Sequence, residues 1–538
     1  MGVSGLLSFI NRNVKNCFSE MEWKTGKNEN RGCPLIVDGN AFMYSVYRKH
    51  LNWTFGGEYH EYEKLVKLYL EIFDSIGFKL TFVFDGCCSS EKMPTQLNRM
   101  IEKKRAIDDV KMRIEQGKSA ESHDQLLPPL CYAVLHSVLE KNRIPMIFSD
   151  TEADRIIASI ANSMDGYVLS NDSDFLIFPL SKGYIPLNTL SSPLIRQGFP
   201  CTSFSIDSKV TARVYRSEDI AKRLLISPCH MNLLSCAIGN DYFDGFLLDS
   251  VIGISPNTSR ITSVIKFFRR NREKSVEDIL GLHFRIQKNA LKQALLELTL
   301  IQDNEVMFKS NEYPRNLKYI LRNGTFNCAP IIGDSLDGSS WEITKSIRHA
   351  MFSLIAEETI EINFNNFQIS KTLYKFDGIL RCSELQTEEK VFSTLKNLFG
   401  VKYDESLLGN DWKIVPLIIS LMSKSDELHL DDTERKKILL ALSDNSTYSH
   451  MTSITLRSYY LSAVWQNALF HLHHIVWLIK CTTGVSLLRF ISMPFLYSGF
   501  KFHYHLNSSS SILCDENAVV VNSLFQQVLN TLCSGCEF

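Results

Sequence analysis

An α/β fold on a parallel sheet is what this sequence predicts, and three observations carry the expectation. Short apolar segments alternate with segments of helical period through the first 190 residues. The apolar segments are continuous, lacking the in–out alternation of a half-exposed antiparallel sheet, as strands buried on both faces are. Acidic residues close or follow each of them, so carboxylates recur at corresponding ends. Strand–helix alternation builds βαβ units, and hence a parallel sheet with helices on both faces.

CPLIVDGNAF is the first strand, stopping at a polar turn, and EYEKLVKLYLEIFDSIG has helical period and stops near Gly77. KLTFVFDG is the second strand. After a charged segment, LPPLCYAVLHSVLEKNRI is a helix opened by prolines, which suit a first helical turn. PMIFSD is the third strand, TEADRIIASIANSM a helix with an acidic first turn, and GYVLSND the fourth strand.

Asp38 closes the first strand, Asp85 the second and Asp172 the fourth, while Glu152 and Asp154 follow the third. Asp172 and Asp174 stand one residue apart in the otherwise apolar YVLSNDSDFLIF. A solvated turn would accommodate them, since Asp is a common loop residue. Glu152 and Asp154 could likewise be helix N-terminal acids favoured by the helix dipole. Neither reading explains the recurrence. Parallel strands bring their carboxyl ends to one edge, where ligands of open α/β sheets sit. Converging carboxylates need cations, and oxygen-only donors favour Mg²⁺ or Mn²⁺ over zinc. Two such ions about 3.5–4 Å apart would suit in-line attack on a phosphodiester.

The 538 residues are too many for one core, and one domain per roughly 150 residues gives two to four. With 45% hydrophobic and 22% charged residues the composition is globular, and a net charge of −1 requires any nucleic-acid surface to be local. MGVSGLLSFINRN lacks the basic start and long apolar core of a signal peptide, and Leu6 breaks the myristoylation pattern. No apolar run approaches 18 residues, so no membrane span is expected. The 14 cysteines follow no framework spacing, as in a reduced intracellular protein. A lone CxxC at Cys533 and Cys536, with His471, His473, His474, His503 and His505 upstream, is a minor zinc candidate. Asn-x-Ser/Thr at Asn52 and Asn323 means little without a secretory route.

MGVSGLL, IVDGNAFMY, FVFDG, DTEADRIIA, SNDSDFLIF and CAIGNDYF, in that order, resemble the motifs of the flap endonuclease/XPG family of structure-specific nucleases, which have a PIN-like fold. The resemblance covers about residues 1–270, and the finer likeness is to the asteroid subgroup. It implies a metal site of Asp38, Asp85, Glu152, Asp154, Asp172, Asp174 and Asp241, holding two Mg²⁺ ions with Mn²⁺ as a substitute. It implies that Lys92 and Arg99 contact the scissile phosphate, that Tyr44 stacks on a base, and that Gly2 lets the chain start lie near DNA. RMIEKKRAIDDVKMRIEQGK, richer in Lys and Arg than in acids, falls where the family has a helical arch, near residues 90–125.

The family's helix–hairpin–helix is degraded here. VIGISPNTSRI keeps Gly253, Ser255 replaces the second glycine, and FDGFLLDS is inserted ahead of it. Ser255 can donate a hydroxyl but cannot take every glycine backbone angle. Lys266, Arg269 and Arg270 in KFFRRNREK offer salt-dependent phosphate contacts, or else form an ordinary amphipathic helix end. Residues 239–275 would hold the duplex.

The expected organisation is a nuclease domain over 1–310 and a mainly helical accessory domain over 311–538. Within the nuclease domain an N-terminal region spans 1–110, an internal region 125–235 and a helix–hairpin–helix-like region 236–285. The accessory domain contains MTSITLRSYYLSAVWQNALFHLHHIVWLIKC, a buried helix, and offers a protein partner a surface. QNALFHLHH lacks the paired aromatics of a sliding-clamp peptide, with Leu472 and His473 in their place. The implied function is a metal-dependent endonuclease acting on DNA flaps, overhangs or junctions, in DNA repair and in the nucleus. The alternatives are a nuclease-like scaffold in signalling or assembly, and a PIN-type ribonuclease.

Overall fold

The computed structural model describes residues 2–3, 5–25, 32–87, 92–120, 126–193, 195, 209–254, 259–301, 310–311, 315, 325–327, 340–354, 363–365, 374–375, 418–419, 422–423, 428–443, 454–483 and 498–507. The chain divides into two compact units, one of 1–45, 68–97 and 144–312, the other of 46–67, 98–143 and 313–538.

The first unit is built on an eight-stranded sheet in the order β1-β7-β6-β5-β2-β3-β4-β8. The strands are β1 (Phe18–Lys24), β2 (Cys33–Asp38), β3 (Phe78–Phe84), β4 (Met146–Ser149), β5 (Tyr167–Ser170), β6 (Tyr184–Pro186), β7 (Lys209–Tyr215) and β8 (Ser310–Asn311). The four strands expected from sequence are β2 to β5, and with β6 they form a parallel centre. The sheet is not parallel throughout. β7 joins β6 and β1 joins β7 antiparallel, and β8 closes the other edge antiparallel to β4. These edges escaped the sequence reading for physical reasons. β1 has mixed polarity (FSEMEWK) and only Trp23 fully buried, and β8 is two residues long.

Helices α1 (Leu6–Asn13), α2 (Gly39–His50), α3 (Tyr59–Ser75), α4 (Met93–Glu115), α5 (Cys131–Lys141) and α6 (Asp154–Ser163) follow in chain order. The central strands are buried on both faces, as their continuous apolar character requires. Ile36, Val83 and Val168 pack with α1, α6 and the helix Met231–Ile238 in one core. On the opposite face Phe42 of α2 meets Phe82 edge-on at 5.2 Å and Tyr69 of α3 at 5.7 Å. Burying side chains of this size stabilises by about 1.5–3 kcal/mol each. That fixes the register and, with it, the positions of the strand ends.

In the second unit the described residues after 312 are mainly helical, with Lys345–Ser353, Asp432–Ser443, Leu456–Thr483 and Gly499–Asn507, beside a small three-stranded sheet. The helix Leu456–Thr483 covers the segment expected to be buried and helical, and Trp465 and Trp477 are fully buried in it. No described helix is long and apolar enough to cross a membrane.

Candidate metal centre

The carboxyl ends of β2 to β5 place their acids together, all within the first unit. Asp38 ends β2 and is buried; its carboxylate accepts from the Ala41 N–H at 2.9 Å and the Ser170 hydroxyl at 2.6 Å. Burial first, then the charge of Asp85, pushes this carboxyl up to about 7 against those two hydrogen bonds. Asp85 follows β3 and accepts from the Ala153 N–H at 2.9 Å and from the Asn40 amide. Asp154 opens α6, so it is a first-turn helix acid as well as a site acid. Asp172 follows β5; it takes an N–H from Asp174 at 3.1 Å and donates its own to the Ser170 hydroxyl at 3.0 Å.

Asp154, Asp172 and Asp174 each offer an oxygen within 4.8 Å of the others. Asp174 is only 3% exposed, and its Oδ1 is buried with no hydrogen-bond partner among the described residues. Burial and the neighbouring Asp172 charge drive the carboxyls of Asp154 and Asp174 well above the usual range. A buried carboxylate with an orphaned oxygen, close to two further carboxylates, is costly unless a cation neutralises the group. The all-oxygen donor set suits a hard divalent ion, so these residues fit a metal.

The remaining acids extend the group. Asp174 feels the charge of Asp241, Asp154 that of Asp85, and Asp38 those of Asp85 and Asp172. Glu152 and Asp241 are bridged by Lys92, whose Nζ lies 3.0 Å from the first and 3.1 Å from the second. Burial opposes that ammonium, but Glu152, Asp154 and Asp241 outweigh it and raise its pKa above the usual range. Asp241 sits on a turn fixed by Asn240, whose Oδ1 accepts from the N–H of Tyr242 at 3.0 Å and of Phe243 at 2.9 Å. The Tyr242 ring lies 5.3 Å from the Lys92 ammonium.

Gly2 has φ +68, and a Cβ there would lie 2.0 Å from Asp172 Oδ1 and 2.8 Å from Asp174 Oδ1. Only glycine takes this φ freely and admits so close an approach. The chain start therefore packs onto the acid pair. Tyr44 is half-buried on α2. Arg99 lies on α4, in the second unit.

Gly253 takes a left-handed conformation at φ +71 and ends the short helix Asp249–Ile252. Ser255 lies outside the described residues. Lys266 and Arg270 are exposed on the helix Arg260–Arg270, whereas Arg269 spends its Nε on the Leu224 carbonyl at 2.6 Å. Phe267 and Phe268 of the same cluster are buried in the core. Cys533 and Cys536 also lie outside the described residues; of their candidate companions, His471 and His474 donate Nδ1–H to the carbonyls of Asn467 and Phe470.

Sequence reasoning missed Asn40, Ser170, Asn240 and Tyr242, which orient or shield the acids. Their signal is weak: each is a polar or aromatic neighbour of an Asp, and such neighbours abound in turns.

Residues 127–241 match the family described as "XPG domain containing". The single-strand DNA endonuclease ASTE1 of Homo sapiens is 29% identical over 192 residues, 35% of this chain and 26% of that protein. Asteroid homolog 1 of Schizosaccharomyces pombe is 25% identical over 272 residues, 48% of this chain and 45% of that protein. The constitutive coactivator of peroxisome proliferator-activated receptor gamma of Homo sapiens is 24% identical over 308 residues, 52% of this chain and 32% of that protein. The chain thus spans less than half the length of each of these relatives. With the acid-ended sheet, these matches show a chain similar to the XPG/flap-endonuclease family. Within that family the likeness is to the asteroid subgroup.

Proposed function

We propose that this chain is a divalent-metal-dependent, structure-specific DNA endonuclease that hydrolyses phosphodiesters at flaps, overhangs or junctions. The observation that carries the reading is the orphaned Oδ1 of buried Asp174, set against Asp154 and Asp172 at one sheet edge. Asp154, Asp172 and Asp174 would hold a first Mg²⁺, and Asp38, Asp85, Glu152 and Asp241 would share in a second, with Mn²⁺ as substitute. When bound, such ions supply a nucleophilic water at neutral pH and stabilise the leaving oxygen.

The chain's own residues set the rest. Lys92 neutralises Glu152 and Asp241 in this arrangement, so it must exchange a carboxylate for the scissile phosphate to stabilise charge there. Arg99 would serve as the second cation. Tyr44 offers a ring to a base, and Gly2 leaves room beside the acid pair. Gly253, Ser255, Lys266 and Arg270 would take the phosphates of a duplex arm, Arg269 less so because it already anchors a neighbouring helix. Phosphate contacts carry no sequence information, so structure and not sequence would select the substrate. A role in nuclear DNA repair would follow from this substrate, and residues 311–538 would offer a protein partner a surface.

A nuclease-like scaffold is the second reading, favoured by the similarity to the constitutive coactivator of peroxisome proliferator-activated receptor gamma. The test is cleavage of labelled 5′-flap, 3′-overhang, plain duplex and RNA substrates with Mg²⁺, Mn²⁺ or EDTA, with Asp172→Asn alongside. Metal-dependent cutting of DNA lost in the variant supports the nuclease. Absence of cutting together with absence of metal-induced thermal stabilisation sinks it and leaves the scaffold, and preferential cutting of RNA moves it to the ribonuclease.

A further inference from the structure

Beside the acids lies a cavity of about 760 Å³, lined by Gly2 and Asp241, which belong to the metal centre, by Tyr242, Phe243 and Phe246, and by Arg260. That volume is within the roughly 300–1,000 Å³ of pockets that enclose ligands. Phe246 is the tip of the inserted FDGFLLDS segment and is 71% exposed.

An exposed ring on a loose loop would be unremarkable, but this loop is braced. The Asp244 carboxylate caps the turn, accepting the Phe246 N–H at 3.0 Å. Gly245 packs so closely on residues 237–239 that a Cβ would lie 2.7 Å from the Ala237 carbonyl and from the Gly239 nitrogen. The Arg260 guanidinium lies 4.6 Å from the Phe246 ring centroid. Its nitrogens are committed to Asp249 Oδ1 at 3.1 Å (Nε), the Ile238 carbonyl at 2.9 Å and the Gly245 carbonyl. Arg260 therefore acts as a prop for the ring and not as a phosphate ligand.

We propose that Phe246 is a stacking platform for an unpaired nucleobase of the strand whose phosphate lies at the metal centre; the proposal rests on the nuclease reading above. Continuity of the cavity with Gly2 and Asp241 puts its occupant next to the reacting phosphate. Asp241 and Asp244 on the lining disfavour a phosphate within the cavity, whereas a base is neutral. Every base presents a π-face, so stacking on an aromatic ring tolerates any sequence.

The test is fluorescence anisotropy of a labelled 12-nucleotide single strand, and of the same strand with abasic sites, in EDTA, against the full chain. Phe246→Ala should weaken binding of the base-bearing strand about five- to a hundredfold and leave the abasic strand unchanged. Phe246→Trp should retain binding, with its emission quenched by the base-bearing strand only. Unchanged binding by Phe246→Ala, or an equal loss on both strands, overturns the platform while leaving the nuclease reading intact. A change in light-scattering mass without a change in DNA binding would make the ring a protein contact and also overturn it. Absence of binding by the wild-type chain overturns both. Because the ring is exposed, Phe246→Ala should keep the wild-type Tm.

Discussion

Each unit draws in ionisable groups, and the two do it differently. In the first, carboxylates from four strand ends face one another, and Asp174 Oδ1 has no hydrogen-bond partner among the described residues. In the second, Glu58 is answered group for group: one oxygen accepts the Ser498 hydroxyl, the other the Phe500 N–H at 2.8 Å. In the same unit Tyr59 donates its hydroxyl to Gln466 at 2.8 Å, and the rings of His474 and His503 are pushed down to about 4 by burial. A satisfied buried acid is a structural fastening. An unsatisfied one among like charges is a cation seat, and this distinguishes the candidate site better than burial or a shifted pKa does.

If that contrast is right, the largest effects belong to the acid edge. Asp172→Asn should lower cleavage by at least about 10²–10³-fold, the scale of losing one charge-stabilising group, while DNA binding in EDTA stays near wild type. A variant that cuts at the wild-type rate would end the metal assignment. Gly2→Ala comes next: its Cβ would meet Asp172 Oδ1 at 2.0 Å, and displacement of about 1 Å in a reacting group costs about 10²-fold in rate. Single-turnover cleavage by Gly2→Ala checks this, and unchanged turnover would show that the acids tolerate the shift.

Asp174→Asn sharpens the comparison through stability. Removing a charge repelled by Asp172 and Asp241 should raise the metal-free Tm by about 2–4 °C, corresponding to about 1 kcal/mol in a domain of this size. The same variant should lose the Tm gain that Mg²⁺ gives the wild type by mass action. A lower metal-free Tm would mean that Asp174 is a fastening after all. Thermal denaturation with and without Mg²⁺ decides it.

Much of this was legible in the sequence because one constraint imposes both layers. Strands buried on both faces must be apolar throughout, so CPLIVD, KLTFVF, PMIFS and YVLS stand out, and Asp38, Asp85 and Asp172 are visible where the apolar runs stop. Other features carry no such signature. β1 offers Glu20, Glu22 and Lys24 to solvent and pairs with β7 nearly two hundred residues away. Such pairing depends on long-range register, which local periodicity does not encode. Lys92 was legible as a cation near the acids, but its double bridge to Glu152 and Asp241 exists only once β4 and the 240–243 turn come together. The contribution of residues 46–67 to the second unit has the same origin, since Glu58 finds its partners some 440 positions further along the chain.

The smallest predicted effect concerns Glu58 and tests the other half of the comparison. Burial raises its carboxyl to about 7, against the hydrogen bonds from Ser498 and Phe500. Because the folded pKa exceeds the unfolded one of about 4.3, the folded chain holds a proton that the unfolded chain has lost. The stability tied to Glu58 is therefore fully present below about pH 4 and disappears as pH rises through about 7. Glu58→Gln, which like the protonated carboxyl offers one acceptor oxygen and one donor group but cannot ionise, should remove that share of the slope and raise Tm at pH 8 by about 1–3 °C. It should leave the Tm gain from Mg²⁺ untouched, because Glu58 has no share in the acid edge. Thermal scans of both chains at pH 5.5 and 8, with and without Mg²⁺, measure both at once. A variant that flattens the Mg²⁺ response would show that the two kinds of buried acid are coupled and that the distinction between fastening and cation seat does not hold.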